Sequence, residues 1–447
     1  MPRTLLKDLK DKIGQQVNIS GSVSVRRDQG KMVFFDFRDR TGSVQGVVLP
    51  KEELAMAVAK ELRPEYVVTV SGLVNERPPK NVNEGVMNGN LELQITAIEI
   101  LSRAEPPFEL GSEVNIDTYL DHLPFTLRSE RAKNIFTVQA TIAEAFREAM
   151  RGEDFVEFQA PSLVGGDAEG GAAAFKVDYY YDQKAFLATS PQLYKQMMAG
   201  VFERVFAVCK IFRGEKHATT RHLSEAVCMD FEMAFINDHH DVMRMLEHTM
   251  KHIVAKVIEK HGDVMQKMGV EAPLVPEKFP VLKLRKAQEI LGAAKEPDLE
   301  PEQERELCEW AKREHNSDFV FVTHFPIEKR SFYTYEDEDD RGYTKYFDLL
   351  FKGLEINSGG QRVHNHDALV ERIKQKGLDP EKFRFYLEAF KTGMPPHGGC
   401  STGLERLTAR MLNLHNVKEA TLFPRDLNRI DTLLSTDLPT GKAGKKE

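Results

Sequence analysis

The apolar segment Val205-Phe206-Ala207-Val208 leads into Phe212-Arg213-Gly214-Glu215, and Thr219-Thr220-Arg221-His222-Leu223-Ser224-Glu225 leads in turn into Val227-Cys228-Met229-Asp230-Phe231-Glu232-Met233. The pattern predicts a strand, a loop rich in arginine and histidine, and a returning strand that carries carboxylates. Such a hairpin sets guanidinium groups against phosphates and carboxylates against amines. The residues alone therefore indicate anion binding, with a surface ion-pair network as an almost equal alternative.

A second segment, Gly398-Gly399-Cys400-Ser401-Thr402-Gly403-Leu404-Glu405-Arg406-Leu407, predicts a glycine-rich loop that opens a helix. Glycine lets the backbone approach a ligand closely, and a helix N-terminus with an arginine in its first turn favours a phosphate or a nucleotide. A loop of this kind is a weak signal by itself. Beside the Arg213 segment it becomes a strong one.

The two segments resemble motifs 2 and 3 of the class II aminoacyl-tRNA synthetases. An apolar face at Ile135, Val138, Ile142 and Phe146 predicts a helix over Ser129–Met150, and a further helix is predicted over Pro301–His315. The first of these, ending near Gly152 and followed by Phe155-Val156-Glu157-Phe158-Gln159-Ala160-Pro161, is similar to motif 1, the dimer-interface element of that class. The motifs occur in the family's order between about Arg128 and the C-terminal tail. The resemblance implies an enzyme of the α+β class that forms a homodimer, with an antiparallel sheet flanked by helices as its catalytic domain.

The N-terminal part of the chain has the alternation typical of strands, not helices. A helix is predicted over Lys51–Arg63, between the third and fourth strands, with its apolar face at Leu54, Ala57, Val58 and Leu62. This order is that of an OB-fold, a five-stranded barrel that commonly binds oligonucleotides. The predicted strands cover Val17–Val25, Met32–Phe37, Val44–Val48, Tyr66–Gly72 and Leu91–Ile95.

Two adjacent prolines, Pro106 and Pro107, have the character of a linker. With the family resemblance they predict an anticodon-binding OB-fold over residues 1–104, a linker over 105–128 and a catalytic domain over 129–447. The four cysteines form no C-x-x-C pair, which argues against a zinc site and against a disulfide framework.

Composition and charge limit how the protein can contact RNA and where it can reside. The 447 residues carry 61 Lys and Arg against 69 Asp and Glu, a net charge of −8, so any RNA contact must come from local basic patches. No apolar run approaches the ~20 residues that cross a bilayer, and charges interrupt the N-terminal residues where a secretory signal would be apolar. We expect a cytoplasmic protein that does not enter the membrane.

An N-terminal OB-fold belongs to the subgroup of the class that serves aspartate, asparagine and lysine. Ser190-Pro191-Gln192-Leu193-Tyr194-Lys195-Gln196 resembles the segment of the aspartyl-tRNA synthetases, in their archaeal-type architecture. The resemblance implies that Lys195 and Arg362 bind the side-chain carboxylate of aspartate, that Asp230 holds Lys195, and that Glu169 receives the α-ammonium group. The implied aspartate pocket comprises Glu169, Ser190, Gln192, Leu193, Tyr194, Lys195, Arg213, Asp230, Ser358 and Arg362.

The resemblance also implies ATP as co-substrate, with Arg213, Arg406 and Glu355 as the catalytic residues. The implied ATP site comprises Arg213, Gly214, Glu215, Arg221, His222, Leu223, Glu355, Gly403, Leu404, Glu405 and Arg406. Asp348, Glu355 and Ser358 resemble the ligands of Mg²⁺, a hard cation that prefers oxygen. An exposed acidic strand end is the alternative interpretation of the two carboxylates. Cys400 and Ser401 depart from the family pattern in motif 3, so ATP affinity is the property that we expect to differ.

Phe34 and Gln45 match barrel positions that contact anticodon bases in this family, where aromatic rings stack on single-stranded RNA. Without the resemblance, Phe34 would be interpreted as core. The predicted partner is tRNA(Asp). Whether tRNA(Asn) is charged too depends on barrel residues such as Ser24 and the turn Pro78-Pro79-Lys80-Asn81, and stays open.

Three other interpretations compete with this one. An asparaginyl-tRNA synthetase has a similar overall pattern but no cation at the position of Lys195. A synthetase-derived protein could bind tRNA or form an amide without aminoacylation, although Arg213, Glu215, Glu355 and Arg406 form a complete set. A metal-binding module could use the acidic run 336–340 and the pair His239-His240, but neighbouring histidines on a helix are expected to point to different sides.

Overall fold

The computed structural model of the protein describes residues 2–166, 173–216, 219–293 and 296–430. Two compact units divide the chain, Met1–Ser129 and Glu130–Glu447, and each has a hydrophobic core of its own. A closed five-stranded barrel followed by a mixed sheet with helices confirms the predicted fold class. Residues 105–128 fall within the first unit and contain two short helices.

The first unit is a barrel that closes in the order β1-β2-β3-β5-β4. Its strands are β1 (Gln16–Asp28), β2 (Val33–Asp39), β3 (Gly42–Val48), β4 (Val67–Glu76) and β5 (Leu91–Ser102), and its helices are α1 (Glu53–Glu61), α2 (Ile116–Asp121) and α3 (Leu123–Thr126). Val33, Phe35 and Phe37 are buried inside the barrel. Because side chains alternate along a strand, Phe34 lies on the outer face.

Helix α1 follows the third strand as predicted, but its predicted apolar face is wrong at Leu54 and Ala57, which are exposed, and right at Leu62, which is buried. The helix packs through Ala55 and Ala59, with Leu62 just after its end, whereas Leu54 is 87% exposed. Small side chains at the contact let the helix backbone lie close to the barrel, so alanine rather than leucine marks the buried side.

The second unit is built on an eight-stranded sheet in the order β12-β13-β14-β15-β16-β11-β10-β6. The six strands from β13 to β10 pair antiparallel, and the outer pairs β12–β13 and β6–β10 are parallel. The strands are β6 (Val156–Glu157), β10 (Arg204–Phe212), β11 (Glu225–Ala234), β12 (Val281–Lys283), β13 (Phe319–Thr323), β14 (Tyr346–Phe351), β15 (Leu354–Gln361) and β16 (His397–Gly403).

Among the described residues, a small second sheet and eight α-helices complete this unit. The small sheet has the order β7-β9-β8, from β7 (Leu163–Val164), β8 (Lys176–Asp178) and β9 (Lys184–Leu187). The helices of the described residues are α4 (Glu130–Gly152), α5 (Gln192–Phe202), α6 (His239–Lys267), α7 (Leu284–Ile290), α8 (Pro301–His315), α9 (His366–Gln375), α10 (Arg384–Lys391) and α11 (Leu404–Met411). None of them has the length and apolarity needed to cross a membrane.

Helices α4 and α6 cover one face of the large sheet. The predicted apolar face of α4 is confirmed, because Ile135, Val138, Ile142 and Phe146 are all fully buried. Phe146 packs edge-on against Phe206 of β10, and Phe231 of β11 belongs to the same core. Since neighbouring strand residues point to opposite faces, Asp230 and Glu232 on either side of Phe231 point to the other face of the sheet, toward α5.

Candidate active site

Four buried charges meet between α5 and the large sheet. Lys195 Nζ lies 2.8 Å from Asp230 Oδ2 and 3.5 Å from Glu232 Oε2. Arg362 Nε donates to Glu232 Oε1 at 2.9 Å, and Arg362 Nη2 donates to the carbonyl oxygen of Gly399 at 2.8 Å. All four side chains are at most 3% exposed. We call Lys195, Asp230, Glu232 and Arg362 the charge cluster.

The neighbours of Lys195 and Glu232 in the charge cluster favour the charged forms of these two side chains. Burial alone would lower the pKa of Lys195, but Asp230 and Glu232 outweigh burial and raise it. Burial alone would raise the pKa of Glu232, but Arg362 and Lys195 outweigh burial and lower it. Counted as two cations, Lys195 and Arg362, and two carboxylates, Asp230 and Glu232, the cluster has a formal charge of zero.

Glu232 is the member of the cluster that was not predicted. Its side chain is fully buried and contacts both cations, so it joins Lys195 to Arg362. The signal was present in the sequence, because Glu232 is two residues from Asp230 on the same strand and must face the same way. Only the fold, however, brings Arg362 to it.

The segment before Lys195 forms one wall of this region. Ser190 Oγ accepts the amide hydrogen of Gln192 at 3.2 Å, at the start of α5. The side-chain nitrogen of Gln192 is buried and has no hydrogen-bond partner among the described residues. Leu193 and Tyr194 are partly buried, and Leu193 packs against the apolar cluster around Tyr386. Gln192 therefore presents an amide donor that the described protein does not satisfy.

The predicted glycine-rich loop of motif 3 is wrong, because residues 397–403 form strand β16, and α11 begins at Leu404. A side chain at Gly399 would place its Cβ 2.1 Å from the Phe231 carbonyl oxygen and 2.2 Å from the Glu232 carboxylate. Glycine is therefore needed for close strand packing, not for loop freedom. The neighbouring Cys400 and Ser401 serve the charge cluster, since the Cys400 carbonyl accepts from Lys195 and Ser401 Oγ donates to Asp230.

Four of the residues predicted to bind ATP line one open cavity of about 160 Å³. Its lining comprises Arg213, Glu215, His222, Leu223, Ser224 and Asp426. The amide of Gly214, between two of them, donates to the Ala173 carbonyl at 2.7 Å, and a Cβ at Gly214 would meet that oxygen. Asp426 was not predicted, because it follows motif 3 with no local signal.

Arg221 lies apart from this cavity, against helix α8. Its guanidinium group donates to Glu304 Oε2 at 3.0 Å and to the Gly353 carbonyl at 3.2 Å. Burial raises the pKa of Glu304, and its Oε2 also accepts the amide hydrogen of Glu355 at 3.3 Å. One carboxylate thus holds an arginine of the motif 2 loop and the backbone of β15.

The predicted metal ligands come together on β14 and β15. Asp348 and Ser358 are paired across the two strands, and Ser358 Oγ donates to Glu355 Oε1 at 3.0 Å. Burial, followed by the charge of Glu355, raises the pKa of Asp348 well above its ordinary value. Asp348 Oδ1 is buried with no hydrogen-bond partner among the described residues. Arg406 Nη1 lies 3.7 Å from Glu355 Oε2.

The remaining predicted residues of motif 3 have structural contacts. Gly403 caps α11, and Leu404 belongs to the core. The Glu405 carboxylate is 5% exposed and accepts the amide hydrogen of Val227 at 3.0 Å, so it ties α11 to β11. Burial raises the pKa of Glu405 to about 7. Glu169 lies outside the described residues.

In the barrel, Phe34 and Gln45 lie on the outer surfaces of neighbouring strands, and both are partly exposed. Gln45 donates to Glu92 at 2.7 Å and accepts from Arg27 at 3.3 Å. Arg27 also forms two hydrogen bonds of 2.8 Å with Asp36. The predicted pair thus belongs to a polar surface that carries an aromatic ring.

Together, the OB barrel, the antiparallel core of the large sheet and the convergence of motifs 2 and 3 on it define a class II aminoacyl-tRNA synthetase, an aminoacyl-tRNA ligase. Comparison with known proteins identifies the family within this class. The chain belongs to the family described as tRNA synthetases class II (D, K and N), which matches residues 115–427. Residues 17–101 match the OB-fold nucleic acid binding domain.

Individual relatives match over nearly the whole chain. An aspartate–tRNA(Asp/Asn) ligase of Thermus thermophilus is 44% identical, covering 96% of this chain and 99% of the relative. An aspartate–tRNA(Asp) ligase of Thermococcus kodakarensis is 40% identical, covering 93% and 96%. Among solved structures, the asparaginyl-tRNA synthetase of Pyrococcus horikoshii with asparaginyl-adenylate has a TM-score of 0.88 at 30% identity, covering 96% and 99%.

Proposed function

We propose that this chain is an aspartate–tRNA ligase, which activates L-aspartate with ATP and transfers it to the 3′ end of tRNA(Asp). The observation that carries the proposal is the buried Lys195 in the charge cluster. Without Lys195, the other three groups would sum to −1 and repel a carboxylate substrate. With Lys195 the formal charge of the four groups is zero. The hydrogen bonds of Arg362 to the described residues use Nε and Nη2, so its Nη1 group supplies donors for the carboxylate of the substrate.

The pocket residues have separate roles in this proposal. Lys195 and Arg362 bind the aspartate side chain, and the unsatisfied amide of Gln192 binds a polar group of the same substrate. A site built for a buried carboxylate rejects an analogue that leaves its charges and donors unmatched, at a cost of about 1–3 kcal/mol for each unsatisfied group. Glu169, which the resemblance implies, completes this pocket for the α-ammonium.

Activation proceeds by attack of the aspartate α-carboxylate on the α-phosphorus of ATP, with diphosphate as the leaving group. Negative charge grows on the phosphate oxygens, so fixed cations there lower the barrier without a covalent nucleophile. In this proposal Arg213, which lines the cavity, and Arg406, which lies beside Glu355, stabilise that charge. Glu215, His222 and Leu223 bind the nucleotide within the same cavity.

Arg221 binds the phosphate end of ATP in this proposal, with Glu304 as its positioning residue. A guanidinium group held by a carboxylate and a carbonyl has few accessible orientations, so less entropy is lost when it binds a phosphate. Glu304 is 8% exposed, which keeps this hydrogen bond out of competition with water.

The residues present fit a magnesium ion. Asp348 Oδ1 is a buried acceptor without a partner among the described residues, and Glu355 and Ser358 lie beside it. Hard oxygen donors of this kind suit Mg²⁺, which takes few protein ligands and keeps the rest of its coordination for phosphates and water. When bound, Mg²⁺ would neutralise phosphate charge. Asp348, Glu355 and Ser358 would hold it.

The barrel supplies the contact with the tRNA anticodon. Phe34 offers an aromatic face for a base, and Gln45 offers an amide for a base edge. A charging enzyme acts where translation occurs, so we place it in the cytoplasm. We also propose a homodimer through α4 and the edge strand β6, where Val156 is 42% exposed. A monomeric mass in light scattering at micromolar concentration would contradict the dimer.

Aminoacylation with radiolabelled aspartate tests the proposal, using tRNA(Asp) and tRNA(Asn) transcripts in parallel with Mg²⁺ and ATP. Charging of tRNA(Asp) is the expected result, and its level on tRNA(Asn) decides whether the second acceptor is used. Tight tRNA binding without charging of either transcript would contradict the proposal and favour a synthetase-derived binding protein.

A further inference from the structure

A group of metal-ligand side chains lies at the start of helix α6, away from the charge cluster. Asp238 caps the helix, and its Oδ1 accepts the amide hydrogen of His240 at 2.8 Å. Its Oδ2 lies 3.2 Å from His240 Nδ1. The rings of His239 and His240 are 4.1 Å apart, centroid to centroid. The expectation that the two histidines point to different sides holds for their burial, since His239 is buried and His240 is exposed, but their rings nevertheless lie against each other.

His239 is the unusual member of this group. Its side chain is buried, with 2% of the residue exposed, and neither ring nitrogen has a hydrogen-bond partner among the described residues. A buried polar group without a partner is destabilising, and such groups are few in native proteins unless a bound ion or water satisfies them. Ligand atoms of Asp238, His239 and His240 all lie within 4.8 Å of one another.

A distant part of the chain borders the same group. The ring of His324 lies 5.5 Å from that of His239. His324 Nε2 is 3.0 Å from Asp337 Oδ2, and its Nδ1 is 2.9 Å from Thr323 Oγ1, so His324 is already bonded. Asp337 of the acidic run 336–340 thus contacts His324, the histidine that borders His239.

We propose that Asp238, His239 and His240 form a site for a divalent transition metal of the Zn²⁺ type, bound through two imidazole nitrogens and one carboxylate oxygen. A tetrahedral Zn²⁺ with bonds of roughly 2.0–2.2 Å requires ligand atoms about 3.3 Å apart. The ligand atoms here are at most 4.8 Å apart, so side-chain movements of about 1 Å bring them into that range. Imidazole ligands select this metal class over Mg²⁺, so the site is chemically distinct from the one at Asp348.

The helix N-terminus opposes a cation, but by a small amount. The positive end of a helix dipole is unfavourable for a nearby cation, but the effect is weak at a partly exposed position. The Asp238 carboxylate at the cap also offsets the dipole.

Zinc titration of the full-length, chelator-treated protein tests the site by calorimetry, in excess Mg²⁺ to occupy the carboxylates on β14 and β15. Co²⁺ absorption in the same protein reports imidazole coordination. The variants are Asp238→Asn, which keeps a helix-capping side chain, and His240→Gln, whose parent side chain is 49% exposed. The control is His248→Gln, on the same helix, whose parent side chain is 54% exposed.

We expect the protein to bind one Zn²⁺ per chain. The affinity for Zn²⁺ should be at least about tenfold lower in each of the two variants and unchanged in the control, because each ligand contributes more than the 1.4 kcal/mol of a tenfold change. Absence of stoichiometric binding would overturn the proposal. So would binding that survives Asp238→Asn and His240→Gln, which would assign the metal to other histidines. Neither result bears on aspartate activation, which is measured separately with Mg²⁺.

Discussion

Replacing Lys195 with methionine removes one charge from the centre of the charge cluster and keeps a side chain of similar length. The remaining Asp230, Glu232 and Arg362 carry a net charge of −1, in a region where each side chain is at most 3% exposed. One uncompensated charge about 4 Å from a substrate carboxylate costs about 4 kcal/mol at an effective dielectric constant of about 20. At 1.36 kcal/mol per tenfold, kcat/KM for aspartate should fall about 10³-fold.

The assay is amino-acid-dependent ATP–pyrophosphate exchange, with aspartate and asparagine measured on the same preparation. The ratio of the two substrates is the decisive readout, because a general loss of folding lowers both equally. The kcat/KM for neutral asparagine should fall far less than that for aspartate, so the selectivity of the enzyme shifts away from aspartate. Lys260→Met, at an exposed pair with Glu144 on another face, is the matched control and should change neither rate. A folded Lys195→Met variant with an unchanged substrate ratio would refute the reasoning.

Three further perturbations test other parts of the account. Glu304→Gln should raise KM for ATP about tenfold with little change in kcat, because it weakens a charge-assisted hydrogen bond to Arg221. The control is Glu306→Gln, at an exposed position on the same helix. Equal effects of the two substitutions would contradict the role of Glu304. Phe34→Ala should raise KM for tRNA about tenfold or more, because stacking contributes about 1–3 kcal/mol per base. The rate of pyrophosphate exchange should not change. An unchanged KM for tRNA would show that Phe34 does not contact the anticodon. The Glu405 carboxyl, with its pKa raised from 4.5 to about 7, keeps its proton in the native state after the unfolded chain has lost it. Native stability should therefore fall between about pH 4.5 and 7, by on the order of 3 kcal/mol, and denaturant unfolding of Glu405→Gln should lack that slope.

The fold was predictable where periodicity and order are strong. The strands of the barrel, the apolar face of α4 and the bounds of α8 at Pro301–His315 all follow from local pattern. Prediction failed for the residues 397–403, because glycines that suggest a free loop are also what a strand needs when neighbouring side chains press on its backbone. One sequence cannot distinguish these two uses of glycine.

The site was predictable only where a family pattern marked it. Lys195 and Asp230 are 35 residues apart, yet the structure places their charged groups 2.8 Å apart, where the resemblance implied a contact. Glu304 and Asp426 were not predicted, because each acts through partners that are distant in sequence and lies in no short motif. Glu232 lies beside Asp230 in the motif 2 segment, but only the fold brings Arg362 to it. The contact of Glu304 with Arg221 spans 83 residues. Such pairs become visible only when the helices and strands that carry them are packed together.

Pyrophosphate exchange of the unmodified protein with aspartate, asparagine and lysine in parallel, in the presence of Mg²⁺, tests the central claim most directly. The charge cluster of Lys195, Asp230, Glu232 and Arg362 predicts exchange with aspartate and only background exchange with the other two. Exchange that is supported by asparagine in preference to aspartate would contradict the assignment of Lys195, and with it the proposed function.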